Sequence, residues 1–444
     1  MTQERSKQTD PEDPVELLRA LLRYDTTNPP GNEGPCIGFL AQRFERAGLK
    51  TTVRAKDRNR PNLIARLPGR GEAPPLLLYG HVDVVPAKGQ RWRHPPFEAV
   101  ESDGYLWGRG ALDMKSGVAM MASAVLRAAG RGVVPAGDVL FAALSDEEAG
   151  GYFGARYLVE EHPEDFAGVR YAIGEFGGFP LWIGGQRFYL VQVSEKQPCW
   201  IEGRLTGPAG HGALPMRGGA MANLGRVLTR LDRRRLPVHI TPTTRRMVKA
   251  LAEGLSPGKR IALRRLLSPH WTDTVLKALG QTGRAFEPLF RNTVNATIVR
   301  AGDKPNVIPS EILLGLDVRL LPGFAPDDLY AELRTILGGI NLCYEVKLYD
   351  QAVEVGDLGL FDLLGDALRE QDPGAIPIPY MLPGSTDARF FSALGIQSYG
   401  FTPMRLPAGF SFFDTIHAAD ERIPMDAVRF GADTIYRLIE RYPG

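Results

Sequence analysis

Val139-Leu140-Phe141-Ala142-Ala143-Leu144-Ser145-Asp146-Glu147-Glu148 is an apolar run that leads directly into three acids. A short, unbroken apolar run bounded by polar residues reads as a strand buried on both faces, the kind found in parallel sheets covered by helices. Three carboxylates at its end repel one another unless protons or cations neutralise them. Two other runs end in the same way: Leu76 to Tyr79 leads to His81, and Tyr171 to Ile173 leads to Glu175. Helical spacing separates the runs, as from Val118 to Ala129, and predicts earlier helices from Pro14 to Tyr24 and from about Glu33 to Ala47. The prolines and glycine of Asp25 to Gly31 stop the first of these. Strand and helix in alternation predict an α/β domain with a mostly parallel central sheet. Ligands gather at the carboxyl ends of such strands, which is where His81, Glu147, Glu148 and Glu175 fall.

With 444 residues, 44% of them hydrophobic and 23% charged, the chain can bury the cores of two domains. Around Gln192 to Leu205, and again at Asn306 to Leu321, the sequence alternates as exposed-face strands do, and a basic helical segment lies between. After about Tyr349 the helix and strand patterning resumes. The expected organisation is a catalytic domain in two pieces, residues 1–193 and 351–444, interrupted by an inserted α+β domain at 194–350. From Arg226 to Pro269, arginines and lysines far outnumber Asp232 and Glu253. No aromatic residues interleave them, so a solvated helix face or subunit contact explains the charge better than a nucleic-acid surface.

A net charge of +2 points to no charged partner. The opening stretch is charged and carries no apolar run of the signal-peptide kind, and no run of about 18 apolar residues exists to span a membrane. These features place the chain in the cytoplasm. Cys36, Cys199 and Cys343 are far apart and form no CxxC, so neither a disulfide framework nor a thiolate metal site is expected.

Gly80-His81-Val82-Asp83 puts an imidazole at a strand end, with a carboxylate two residues on that can orient it. Gly108-Arg109-Gly110-Ala111-Leu112-Asp113-Met114-Lys115-Ser116-Gly117 opens a helix with a carboxylate at its mouth. Taken singly, the first could be a surface turn, Asp113 a helix cap, the DEE cluster an acidic turn, and His417 a capping or core histidine. Taken together, His81, Asp113, Glu148, Glu175 and His417 are two imidazoles and three carboxylates, a set suited to a pair of borderline divalent ions. Glu147, beside Glu148, is the candidate base.

In this order the segments resemble the two-zinc aminoacylase and carboxypeptidase metallopeptidases, which include succinyl-diaminopimelate desuccinylase, acetylornithine deacetylase and glutamate carboxypeptidase. The resemblance runs through Gly80 to Pro86, Trp92 to Phe97, Gly104 to Gly117, Ser145 to Gly151, the Glu175 turn, Gly210-His211-Gly212, Asn306 to Pro309, Ser385 to Phe390 and His417 to Glu421. Val193 to Trp200 and the long insertion are most similar to the carboxypeptidase S and N-acyl-amino-acid hydrolase branch. The resemblance implies a zinc-exopeptidase-like catalytic domain holding two Zn2+, with Co2+ or Mn2+ as substitutes. His81 and Glu175 would hold one ion, Glu148 and His417 the other, with Asp113 bridging before a cis peptide bond. Asp83 would orient His81, and Glu147 would act as base. The inserted domain would serve as lid and as a homodimer interface, His211 would stabilise the oxyanion, and Asn306 and Arg319 would bind substrate.

The expected function is hydrolysis of the amide bond of a small dipeptide or N-acyl amino acid bearing a free carboxylate, with no nucleic-acid or membrane partner. The alternative is a catalytically silent metal-binding protein that uses its basic insertion to hold a partner.

Overall fold

A computed structural model describes residues 12–351 and 357–443, so most of the opening stretch read for a targeting signal lies outside the described residues. The chain forms two compact units. One takes the chain up to Val193, a stretch ending at Pro379, and the chain from Thr386; the other starts at Ser194 and also takes in Tyr380–Ser385.

The first unit is built on a nine-stranded mixed sheet. Its order is Lys50–Arg54, Asn62–Leu67, Val139–Leu144, Leu76–His81, Tyr171–Gly174, Gln397–Gly400, Gln186–Glu195 and Ile376–Leu382, with Phe179–Ile183 paired onto Gln186–Glu195. The centre is parallel: Leu76–His81 lies between Val139–Leu144 and Tyr171–Gly174, and the latter runs parallel to Gln397–Gly400. The flanking pairs are antiparallel. Every residue of Leu76–His81 and Val139–Leu144 is buried, as the unbroken apolar runs require. Helix Lys115–Gly130 packs on these two strands and against helices Pro14–Leu22 and Met425–Arg441. A second cluster, with Leu158, Phe166 and Phe391, covers Leu77, Tyr79 and Leu140.

Two glycines let the functional segments approach each other. A Cβ on Gly80 would stand 2.5 Å from the Met114 methyl, and one on Gly174 would stand 2.3 Å from the Tyr79 ring. Both lie immediately before candidate ligands, His81 and Glu175, in crowded backbone that admits no side chain.

The second unit holds an antiparallel sheet in the order Thr293–Ala301, Glu311–Leu320, Gln197–Thr206, Cys343–Tyr349. Burial alternates along Glu311–Leu320. The inward side chains pack with Val227 of helix Ala220–Arg233 and with Leu329 and Leu333 of helix Pro326–Leu337. The basic stretch folds as further helices, including Pro242–Glu253, Pro257–Arg264 and Pro269–Ala278. Met247, Val248, Leu251, Leu263, Leu266 and Leu276 are buried there, while Arg245, Lys249, Lys259 and Arg264 are exposed, the division expected of solvated amphipathic helices. All three cysteines are free thiols, and only Cys343 is exposed. Among the described residues no helix is long and apolar enough to cross a membrane.

Candidate metal centre

Four segments of the first unit bring the candidate ligands together. His81 is the last residue of its strand, Glu147 and Glu148 open a short 3-10 turn after Val139–Leu144, and Glu175 follows Tyr171–Gly174. Asp113 stands just before helix Lys115–Gly130, and His417 comes from a loop far along the chain. Donor atoms of His81, Asp113 and Glu175 lie within 4.8 Å of one another, as do those of Asp113, Glu148 and His417. Asp113 belongs to both groups. Its Oδ1 is 3.1 Å from His81 Nε2, and its Oδ2 is 3.1 Å from His417 Nε2. Glu175 Oε2 lies 3.3 Å from His81 Nε2, and Glu148 Oε1 lies 3.2 Å from His417 Nε2. The Asp113–Met114 peptide is cis.

The electrostatics follow from placing so many acids where water is excluded. Burial and then the neighbouring Asp113 and Asp387 push the Glu175 carboxyl up to about 8, against the pull of His81. Burial first, and Glu175 next, raise Glu147 well above the carboxylate range. Asp113 goes the other way: burial opposes its charge, but hydrogen bonds from His417 and His81 hold it below its ordinary value. His417 is pushed up to about 10, chiefly by its hydrogen bonds with Asp113 and Glu148.

This arrangement fits a pair of cations. Each imidazole Nε2 faces carboxylate oxygens, a contact that is repulsive unless a proton or cation lies between them. Glu175 Oε2 is buried and has no hydrogen-bond partner. Nitrogen and carboxylate oxygen in this ratio are the donors that zinc and its neighbours accept.

The surrounding hydrogen bonds give Asp83 several partners. His81 Nδ1 lies 3.0 Å from the backbone oxygen of Asp83 and 3.4 Å from its carboxylate. That carboxylate also accepts hydrogen bonds from the Glu147 and Glu148 amides, at 3.1 and 3.2 Å, and from Asn28 Nδ2 at 2.8 Å. Asp83 therefore ties the His81 strand to the turn carrying the acids. Asp146, the first acid of the cluster, is turned away to Arg60, Asn28 and the Phe153 amide.

Two further supports fall in segments that carry the family resemblance, but sequence reasoning gave neither a role. Glu421 is fully buried and accepts from the amides of Gly110, Leu112 and Asp113 and from Arg109 Nη1 at 2.7 Å. Arg109 also reaches the backbone oxygens of His417 and Ala418. One ion pair thus fixes the Asp113 loop against the His417 loop, where His417 itself has a left-handed φ of 60°. Asp387, pushed up to about 7 by burial despite Arg389, is the other buried acid near Glu147 and Glu175. Its place within the Ser385 to Phe390 segment is its mark in the sequence.

His211, Asn306 and Arg319 lie in the second unit. The short strands Gly210–His211 and Val307–Ile308 pair, and the Gly212 amide donates to the Asn306 backbone oxygen at 2.8 Å, so His211 and Asn306 are exposed neighbours. Arg319 already grips a carboxylate: Nε and Nη2 donate to Asp317 at 2.9 and 3.4 Å, and Nη1 donates to Ser385 Oγ at 3.2 Å.

Residues 77–441 match the profile of peptidase family M20/M25/M40. The chain is 26% identical over 381 residues to probable carboxypeptidase S-like 2 of Dictyostelium discoideum, covering 82% of this chain and 71% of that protein. It is 25% identical over 375 residues to the N-fatty-acyl-amino acid synthase/hydrolase PM20D1 of Xenopus tropicalis, covering 82% and 72%. The fold matches the M20 family metallo-carboxypeptidase Sso-CP2 of Sulfolobus solfataricus with a TM-score of 0.69, at 18% identity, over 97% of this chain and 99% of that one.

Proposed function

Because the chain belongs to peptidase family M20/M25/M40 and is therefore a metal-dependent hydrolase, we propose that it cleaves the amide bond of small dipeptides or N-acyl amino acids bearing a free carboxylate, with two zinc ions as its metals. The observation that carries this reading is the sharing of Asp113 between two histidine-carboxylate groups, with Glu147 one residue from Glu148. His81 and Glu175 would hold one ion and Glu148 and His417 the other. When bound, the ions polarise the scissile carbonyl and make water nucleophilic at neutral pH.

The side chains do the rest. Glu147 takes the proton from the attacking water and returns it to the leaving nitrogen, a role that suits a carboxylate whose proton affinity burial has raised. Asp83 holds the Glu147 and Glu148 amides, and with them the direction of the base. His211 donates to the oxyanion, Asn306 binds the substrate, and Arg319 exchanges Asp317 for the substrate's carboxylate. Residues 194–350 are proposed to act as the lid.

The test is hydrolysis of a mixed panel of dipeptides and N-acyl amino acids by metal-stripped protein, with and without added zinc. Zinc-restored cleavage is expected for at least one member. A fully metal-loaded protein that cleaves none overturns the proposal.

A further inference from the structure

Four arginines of the second unit converge on one pocket. Arg234 and Arg235 directly follow helix Ala220–Arg233, Arg284 stands on helix Gly280–Phe286, and Arg291 lies just before strand Thr293–Ala301. Together they line a depression of about 310 Å3, at the lower end of the range for small-molecule sites. The exposed Arg245, Lys249, Lys259 and Arg264 of the same basic stretch are not among its walls.

The charges of the pocket do not balance. Glu287 is the one acid among the lining residues, 3.0 Å from Arg235 Nε and 3.6 Å from Arg291 Nε. Asp273 pairs with Arg291 and stands 3.5 Å from Arg235 Nη1. Two carboxylates thus serve Arg235 and Arg291, and two positive charges are left over. Among the described residues, the Arg234 side chain reaches only an uncharged acceptor, the backbone oxygen of Ile336, 3.0 Å from its Nη1. The Arg284 side chain makes no hydrogen bond or ion pair among them. Arg291, with a side chain 5% exposed, keeps a buried Nε that has no hydrogen-bond partner.

Like charges gathered in one pocket repel one another, and an anion seated among them removes that cost. The guanidinium fork meets the oxygens of a phosphate or carboxylate in pairs. An excess of two charges favours a doubly charged head over a singly charged one. Much of the remaining wall is apolar, with Leu231, Leu236, Pro288 and Ile336 lining the same pocket. An organic body attached to the head would cover that hydrocarbon surface, which a bare ion would not.

We propose that this pocket binds a small phosphate monoester, its dianionic head held by Arg234 and Arg284 and its apolar body lying against the leucines and Pro288. Arg235 and Arg291 keep their acids, so no ion pair of the fold has to open. The bound ester joins the end of helix Ala220–Arg233 to helix Gly280–Phe286, and so ties the basic helices to a helix packed on the sheet of the same unit. The site stands apart from the hydrolase reading and does not depend on it.

The test is calorimetric titration of the full chain with phenyl phosphate, in metal-free protein and in zinc-loaded protein freed of excess zinc, with melting curves of each. Saturable binding is expected in both, with a higher melting temperature at saturation. Arg284→Gln and Arg234→Gln should each weaken it about tenfold or more, while Arg284→Lys, which keeps the charge, retains part of the affinity. Arg284 has no partner within the described fold to strand, so the melting temperature of the unliganded Arg284→Gln protein should match that of the parent. Benzoate, with the same ring and one charge, and inorganic phosphate, with no ring, should each bind about tenfold more weakly than phenyl phosphate. Absence of binding overturns the site. Binding confined to the zinc-loaded protein and indifferent to both arginines would place the ester on the metals and would also overturn it. Benzoate bound as tightly as phenyl phosphate overturns the dianionic head, and inorganic phosphate bound as tightly overturns the apolar body.

Discussion

Glu147 and Glu148 are adjacent acids proposed to do separate work, and substitution should separate them. Glu147→Gln keeps the shape and removes the proton carrier, so kcat should fall about a hundredfold to ten-thousandfold with both ions retained, as read by metal analysis of the purified variant. Full activity in that variant would remove Glu147 as the base. Glu421→Ala would leave Arg109 buried without its partner and strand the amides of Gly110, Leu112 and Asp113, a loss on the order of 3–5 kcal/mol by urea unfolding. The two glutamates also differ in legibility. His81, Asp113, Glu148 and Glu175 stand at strand or helix ends, where the type of residue and its place together are informative. Glu421 and Asn28 act through partners distant in sequence, so their residue types say nothing of those contacts, even though Glu421 closes a segment that carries the resemblance.

At the scale of the element, unbroken apolar runs identified the inner strands because burial on both faces leaves no room for a polar residue. The outer strands were harder to place. Asn62–Leu67 and Lys50–Arg54 pair antiparallel, and pairing direction is set by the length and path of the connection rather than by side-chain pattern. Between strands Gln186–Glu195 and Gln197–Thr206 lies Lys196, fully buried, its amine bonded to the Arg291 oxygen at 2.9 Å and Thr293 Oγ1 at 3.0 Å. Burial first, then the Arg319 charge, lowers it to about 7 from 10.5. Between those values the folded chain binds fewer protons here than the unfolded chain, so this residue makes stability rise with pH from about 7 to about 10.5, and below about 7 its burial costs most. Lys196→Met should flatten that rise. Melting temperatures of both proteins measured across the interval check it, and parallel curves would refute it.

Across the whole molecule, the change of texture near Gln192 is visible in sequence, whereas the return of Tyr380–Ser385 to the second unit is not, since six residues carry no domain signature. The proposed ligands come from segments far apart along the chain, so bound ions would act as cross-links in the folded state and have little to hold in the unfolded one. Removing them by chelation should lower the melting temperature, and zinc at a thousandfold excess over its Kd should restore about 4 kcal/mol. An unchanged melting curve after complete metal removal would contradict this.

The position of His417 also sets a timetable. Proteins emerge from the ribosome amino end first, and domains fold as their residues become available. His81, Asp113 and Glu175 are synthesised long before His417, while the group formed by Asp113, Glu148 and His417 needs a residue from near the end of the described chain. The carboxylate shared by the two groups thus waits for its second imidazole until residue 417 has been made, long after Glu175 has supplied the last donor of the other group.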